Sequence, residues 1–437
     1  MNLKKIIKKL RILIFDFYEK SPRFGKLFVI GWRILHKTKF YLKKAFIKSR
    51  KKLEFNSSGV VLKKILCVTP RDIKFKLKKG TLNNPPSILN GNWDLSVESI
   101  ESVPSFQLFN RRFHENQEWE EIIYFMEIKD QISNGKVVLG CKTIEELKEK
   151  LGKLEDLYWK LKQSKNPLKE IYEMNNEVIR SPLNLNEISI VINRKGNLLL
   201  LDGDIEFSLV SLLGIEAVPV RIVCRHKKWA EFKRTMYHFT NNYKGKKIYQ
   251  RLTHPDLEDI PYKHGDERFN LIKANLSIKK GTVLDIGSNL GYFCRKFEDE
   301  GFECSAIETN QLYVELAKKL RDAEYKKFKI FSKSIFLFRK GQVLEFDIIL
   351  ALFIFHHFII RKNSFENLKQ LLGRIKTKEL YFGVHNYDEY KNNKNVYMNF
   401  TQEQFVKFIL DNSCLNHAEL LVTYENGRAL YKLTSAK

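Results

Sequence analysis

The sequence predicts an α/β protein whose C-terminal part is built on a parallel sheet, and three stretches carry that expectation. The first is Val283-Leu-Asp-Ile-Gly-Ser-Asn-Leu-Gly-Tyr-Phe-Cys294, an apolar run that ends in Asp285, turns through Gly287 and Gly291 and continues as an amphipathic helix. The second, Cys304-Ser-Ala-Ile-Glu308, is an apolar run ending in a carboxylate twenty-three residues after Asp285. The third, Phe346-Asp-Ile-Ile-Leu-Ala-Leu-Phe-Ile-Phe-His356-His357, is a further strand closed by two histidines. A shorter apolar segment, Lys329-Ile-Phe331, lies between the last two.

The strand–turn–helix corner is suited to binding. Glycine lets a backbone come close, and the orphan N–H groups of a helix start point at whatever sits there. A carboxylate at the tip of the next strand can accept hydrogen bonds from both hydroxyls of a ribose. The glycine spacing separates two readings. A dinucleotide turn needs G-x-G-x-x-G, whereas here the pattern is Asp285-x-Gly287-x-x-x-Gly291. It resembles motif I of the class I S-adenosylmethionine-dependent methyltransferases, D/E-x-G-x-x-x-G, with Glu308 matching the family's ribose acid. The resemblance covers about residues 260–437 and implies a Rossmann-like methyltransferase sheet over 266–437 with S-adenosylmethionine as cofactor. It assigns Asp285, Gly287, Asn289 and Gly291 to the methionine end and Glu308 to the ribose, with Tyr292 beside the same portion. After the third strand many relatives carry an Asp for the adenine amino group. Here the run is Phe331-Ser-Lys-Ser334-Ile-Phe336, so Ser334 is the candidate substitute.

Methyl transfer from a sulfonium is an in-line displacement, so the protein mainly positions the partners. An alcohol acceptor also needs a base of near-neutral pKa, for which histidine is suited. His356 and His357 end the fourth strand, and His385 follows a predicted fifth, Leu380-Tyr-Phe-Gly-Val384. All three are base candidates, because ligands in open α/β sheets bind outside the carboxyl ends of the strands. Thr401 with Gln404 forms a capping box. Asn426-Gly427 is the turn of a terminal hairpin, Ala418–Tyr424 with Arg428–Leu433.

At 437 residues, the chain is expected to hold two or three domains. An apolar fraction of 43% and a charged fraction of 29% suit a globular protein, and no apolar run reaches the roughly 20 residues of a membrane span. Asp16 and Glu19 interrupt any signal-peptide core, and the six cysteines contain no C-x-x-C pair. A cytoplasmic location with reduced thiols is therefore expected. The net charge of +26 is concentrated: residues 1–55 hold 17 Lys/Arg against 3 acids. Within them Ile6, Leu10, Leu13, Ile14 and Phe17 form one helical stripe flanked by Lys4, Lys5, Lys8, Lys9 and Arg11, and a basic, aromatic stretch runs over 26–52. This pattern suits an anionic membrane surface at the inner face, with a solvated tail, a packed helix or a nucleic-acid arm as the competing readings.

Residues 58–180 are expected to be mainly helical, with a helix over Trp119–Ile132 and another begun by the Thr143-x-x-Glu146 capping box. Asn84-Pro85-Pro86 is followed by Ser87 where an amino-methylating N-P-P-Y motif needs an aromatic, so it is a turn. Residues 181–225 resemble a ParB-like (sulfiredoxin-type) α/β domain, carried by Asp202-Gly203 at a strand–helix junction and Leu213-Gly214-Ile215 before Val218-Pro219-Val220. That family has D-G-x-H/N-R at the junction; here Ile205 and Glu206 occupy the last two places. The domain is thus degenerate, since clustered acids repel phosphate. Residues 226–265 form a linker or gate in which Tyr262, His264 and Arg268 just beyond it could close over the cofactor. His254, Asp256 and His264 match no metal-ligand spacing, and no metal is expected.

The expected function is O-methylation of a small-molecule or lipid-linked, cell-envelope glycan acceptor. The alternatives are an RNA or DNA methyltransferase with a basic N-terminal arm, and a non-enzymatic scaffold that binds the cofactor or a partner.

Overall fold

The computed structural model describes residues 54–55, 61–62, 64–174, 183–241, 245–391, 393 and 396–435. The stripe predicted over 2–20 and the basic stretch over 26–52 lie outside the described residues. The chain divides into two compact units, Met1–Lys64 and Ile65–Lys437. In the first, Glu54–Phe55 pairs antiparallel with Val61–Leu62. Among the described residues no helix is long and apolar enough to cross a membrane.

The predicted C-terminal sheet is present in the second unit. Its strands are β1 (Thr282–Ile286), β2 (Glu303–Glu308), β3 (Lys329–Ser332), β4 (Ile348–Leu352), β5 (Glu379–Val384), β6 (His417–Thr423) and β7 (Ala429–Thr434). They lie in the order β3-β2-β1-β4-β5-β7-β6. Strand β7 runs antiparallel to both neighbours, and the other pairs are parallel. This is a doubly wound, Rossmann-like sheet whose order reverses between β1 and β4, closed at one edge by the predicted hairpin.

Side-chain alternation explains the unbroken apolar runs. Leu284, Ile286, Ile349, Ala351, Leu380 and Phe382 pack on one face with helices Lys362–Leu372 and Gln402–Asp411. Val283, Ile348, Leu350 and Tyr381 pack on the other with helices Glu267–Ala274 and Tyr292–Asp299. A parallel sheet covered on both faces has no polar side to show in its sequence.

Residues 58–180 hold the helices Pro104–Phe113, Ile123–Ser133, Ile144–Gln163 and Pro167–Met174, together with short strands that the sequence did not announce. Ile65–Val68, Phe75–Leu77, Ile88–Leu89 and Val97–Ser99 are strands of the same sheet as Ser189–Ile192, Leu198–Asp202 and Val218–His226. That sheet therefore draws on residues from 65 to 226 rather than on 181–225 alone. The early strands are two to four residues long, too short for alternation to register in sequence. Helices Ile123–Ser133 and Ile144–Gln163 lie where the pattern put them, whereas Pro104–Phe113 and Pro167–Met174 were not anticipated. Ile144–Gln163 starts at Thr143, whose hydroxyl accepts from Glu146 N–H at 3.2 Å, and it buries Leu147, Leu151, Leu154, Tyr158 and Leu161.

The stretch after this sheet is a fastening element. Asp256 is fully buried and accepts from Arg225 Nη2 at 2.9 Å, Trp229 Nε1 at 2.9 Å and Lys233 Nζ at 3.3 Å. Burial pushes its carboxyl up, and the Lys233 and Arg225 charges more than offset this, holding it well below the usual range. His254 bonds the Gly196 carbonyl at 2.8 Å through Nε2, and its Nδ1 accepts from Asp256 N–H at 3.1 Å. Both residues are committed to this network. Beyond it, the Asn197 side chain donates to the carbonyls of Asp322 (2.7 Å) and Ala323 (3.1 Å), at the C-terminus of helix Gln311–Ala323. The Asp322 carbonyl also accepts from Tyr325 N–H at 3.3 Å, and the Asn197 donors add to the satisfaction of this helix end, so the front sheet caps an outer helix of the C-terminal sheet.

Candidate active site

The corner after β1 has the shape its glycines require. Gly287 has φ +75° and Gly291 φ +73°, a region that favours glycine. A Cβ on Gly287 would lie 2.9 Å from Ile354, and one on Gly291 3.0 Å from Phe328. The bend is held to β2 by Gly287 N–H and Ser288 N–H, which donate to the Ile307 carbonyl at 2.9 and 3.0 Å. The two strand tips are adjacent, with Ile286 opposite Ile307, and Gly287 is exposed at the mouth of the bend.

Glu308 sits at the tip of β2 and is 9% exposed. Its Oε2 accepts from Asn289 N–H at 2.9 Å; its Oε1 accepts from the Thr309 and Asn310 N–H groups, both at 2.8 Å. Three backbone donors fix the carboxylate without filling the roughly four lone-pair sites of its two oxygens. Asp285 is 2% exposed and its Oδ2 is buried without a partner. Burial, together with the nearby Glu308 charge, pushes its carboxyl up to about 7. An acid in that state suits a cationic ligand, which would restore its ionised form.

The other predicted cofactor residues divide. The Asn289 carboxamide turns back to accept from Leu290 N–H at 2.8 Å. Tyr292 is buried in the first turn of its helix, and its hydroxyl donates to Asp266 at 2.6 Å. It braces the segment before β1. Ser334 lies just beyond β3, where its hydroxyl accepts from Phe336 N–H at 3.3 Å.

The fold brings two of the three predicted histidines into one enclosed group. His356 (5% exposed) and His385 (0%) have ring centroids 5.7 Å apart, and Tyr390 lies 5.2 Å from His385. The His357 ring lies 4.1 Å from that of His356, tilted by 43°, but is exposed. The Asn399 amide donates to the Tyr387 carbonyl at 3.1 Å, which leaves its Oδ1 facing His385 Nε2 at 3.2 Å. That oxygen can only accept, so Nε2 carries the proton and Nδ1 the lone pair. Nδ1 of His385 and Nδ1 of His356 are both buried without a partner. Burial, with His357 and Arg428 nearby, takes His356 down to about 3, and burial also lowers His385.

Four residues that sequence reasoning did not place in the site complete it. Phe353, one residue past β4, carries the Arg268 guanidinium over its ring at 4.6 Å and that of Arg428 at 5.5 Å. Arg428 forms a bidentate pair with Glu389, at 2.7 Å from Nε and 2.6 Å from Nη2. Tyr424 leaves β6 into the same region, and its hydroxyl is buried without a partner. Arg268 was anticipated as a gate; the structure instead buries it, at 7% exposed. His264 stands edge-on to Tyr249 at 4.9 Å and is half-buried. Burial, with Arg268 and Lys263 close by, lowers it to about 4.

Neither a family model nor a curated protein sequence matches the chain. Solved structures with some likeness include the bifunctional kinase-methyltransferase WbdD, at 18% identity and a TM-score of 0.38, covering 46% of this chain and 46% of that one. The chain thus spans about half the length of that protein. Magnesium protoporphyrin IX methyltransferase (ChlM) from Synechocystis PCC 6803, solved with bound SAM, is 12% identical with a TM-score of 0.30, over 38% of this chain and 76% of that one. The methyltransferase domain of bacterial CtHen1-CN is 14% identical with a TM-score of 0.31, over 39% and 98%. The fold rests on strand order and register, not on these likenesses.

Proposed function

We propose that the chain is an S-adenosylmethionine-dependent O-methyltransferase, with residues 266–437 as its catalytic domain. One observation carries the reading. Among the described residues with a buried side-chain atom that lacks a partner, six, Asp285, Ser288, His356, His385, Arg268 and Tyr424, stand at or beside the carboxyl edge of one sheet, while others, Arg112 and Arg234 among them, are scattered elsewhere. Buried polar atoms are normally satisfied, so such a convergence marks a place where a polar ligand belongs.

The residues present fit the cofactor. Glu308 would hold the ribose hydroxyls, Asp285 and the backbone of the Gly287–Gly291 bend the methionine end, and Ser334 the adenine side. The cofactor supplies an electrophilic methyl on a sulfonium. The chain orients the acceptor and manages its proton. His385 Nδ1, with its tautomer set by Asn399, takes the proton of the acceptor hydroxyl. His356, which burial takes down to about 3, is the weaker base and serves as a hydrogen-bond acceptor that aligns that hydroxyl.

We infer further that the acceptor is a small molecule or a lipid-linked, cell-envelope glycan, and that residues 1–55 hold the enzyme at an anionic membrane face. Deleting them should abolish binding to vesicles rich in anionic lipid; undiminished binding would remove that proposal. The ParB-like resemblance of the middle segment is kept without a hydrolytic role. Asp204 there is paired with Lys76, and burial pushes the Glu206 carboxyl up to about 7; neither residue is suited to meeting phosphate.

The direct test is calorimetry with S-adenosylhomocysteine. Loss of charge-assisted hydrogen bonds to the ribose in Glu308→Ala should weaken binding by about 1.5–3 kcal/mol. Equal affinity of wild type and variant would refute the site. Methyl incorporation into RNA with salt-sensitive binding would favour a nucleic-acid acceptor instead.

A further inference from the structure

We propose that Arg295 is a positioning residue, which holds the bend after β1 from behind and couples it to the front half of the chain through Thr253. This deepens the methyltransferase reading and rests on it. Arg295 lies in the helix Tyr292–Asp299 that follows the bend, and it is 0% exposed. Its Nη1 donates to the Leu290 carbonyl at 2.6 Å. Its own N–H donates to the next carbonyl, that of Gly291, at 3.1 Å. Leu290 stands between two residues in the left-handed region, Asn289 at φ +51° and Gly291 at φ +73°. The Leu290 N–H is bonded to the Asn289 carboxamide, so Arg295 completes the fixing of this residue's backbone. The neighbouring Asn289 N–H donates to Glu308, and a shift of the bend at Leu290 therefore reaches the ribose acid.

Packing alone does not call for a guanidinium here. It stays charged in a protein, and apolar side chains in place of a buried ion pair are often no less stable. Among the described residues its one ion pair is with Glu324, 3.5 Å from Nε, and its Nη2 is buried without a partner. What the arginine adds is reach. Its Nε donates to the Thr253 hydroxyl at 3.0 Å, and that hydroxyl donates to the Glu324 carboxylate, 2.6 Å from Oε2. Glu324 closes helix Gln311–Ala323, whose end is bonded by Asn197 of the front sheet. Thr253 precedes His254, which is fixed to the Gly196 carbonyl of the same turn. The Leu290 side chain is buried in one core with Ile192, Leu198 and Trp229. Backbone, side chain and charge all tie the bend to the front sheet, and the segment expected to be a gate serves as a strut behind it.

The test measures S-adenosylhomocysteine binding by calorimetry, and amide hydrogen exchange over residues 287–291, on the full chain. The double variant Arg295→Met, Glu324→Gln removes both charges together and keeps an acceptor for Thr253. Its urea midpoint should stay close to that of the wild type, while S-adenosylhomocysteine binds roughly tenfold more weakly, as expected for loss of a charged hydrogen bond. The bend amides should exchange faster, with those of β1 and β2 unchanged. Arg295→Lys, which still offers a donor to Leu290, should recover most of the affinity. Thr253→Val, which breaks the link to the front half, should weaken binding by a smaller factor and serves if the double variant does not fold. Unchanged affinity in the folded variants overturns the proposal, and so does an affinity that falls only in step with the urea midpoint. If the wild type binds no S-adenosylhomocysteine, the methyltransferase reading falls, and exchange of the bend amides alone decides the tether.

Discussion

Asp285→Asn should stabilise the unliganded protein while removing its cofactor site. The Asp285 carboxyl is pushed from 3.8 up to about 7 in the folded chain, first by burial and then by Glu308. A carboxyl whose folded pKa is raised favours folding below its unfolded pKa, and that contribution is lost as pH rises toward the folded value. Three pKa units correspond to about 4 kcal/mol at 1.36 kcal/mol per unit. The unliganded wild type should therefore lose on the order of 4 kcal/mol from this residue between pH 4 and pH 8. Asparagine keeps the shape and cannot ionise. Urea unfolding of both proteins at pH 4 and pH 8 isolates the effect, because the remaining titrating groups are shared. The stability difference should move in favour of Asp285→Asn by about 4 kcal/mol across that range. S-adenosylhomocysteine should raise the wild-type midpoint and leave the variant's unmoved, since ligand stabilisation follows affinity. A difference that stays constant with pH would refute the buried, unpartnered carboxylate, and with it the argument that the bend awaits a cation.

Two further outcomes follow from the same geometry. His385→Ala should lower kcat by about 10²–10⁴ with S-adenosylhomocysteine affinity preserved, and His356→Ala should cost less; single-turnover methyl transfer separates them, and the reverse order would move the base to His356. Asp256→Ala takes from Arg225 and Lys233 the buried carboxylate they share, with Lys233 keeping its pair with Asp259 at 3.2 Å, and should destabilise the chain by about 3 kcal/mol in urea, with Lys233→Met in the same background restoring part of the loss.

The parts of the site legible in sequence are those made within a few residues. Asp285, Gly287 and Gly291 occupy one bend whose backbone angles only particular residues tolerate, and Glu308 ends the next apolar run at a spacing one helix sets. The strands behind them show as apolar runs because both sheet faces are covered. The short strands at 65–99 had no such signature, since two to four residues pair only when Ser189–Ile192, Leu198–Asp202 and Val218–His226 lie alongside.

By itself, then, the sequence determined the βαβ corner, the carboxylates at its tips and the histidines after the fourth and fifth strands, through backbone preference and the unbroken apolar runs of strands covered on both faces. Only the tertiary structure decided that Arg268, Phe353, His385, Tyr424 and Arg428 meet. These residues are separated by up to 160 positions in the chain, and they converge because β4, β5, β7 and β6 line up beside β1. That order is set by burying apolar faces against helices, a property of the whole sheet and of no single stretch.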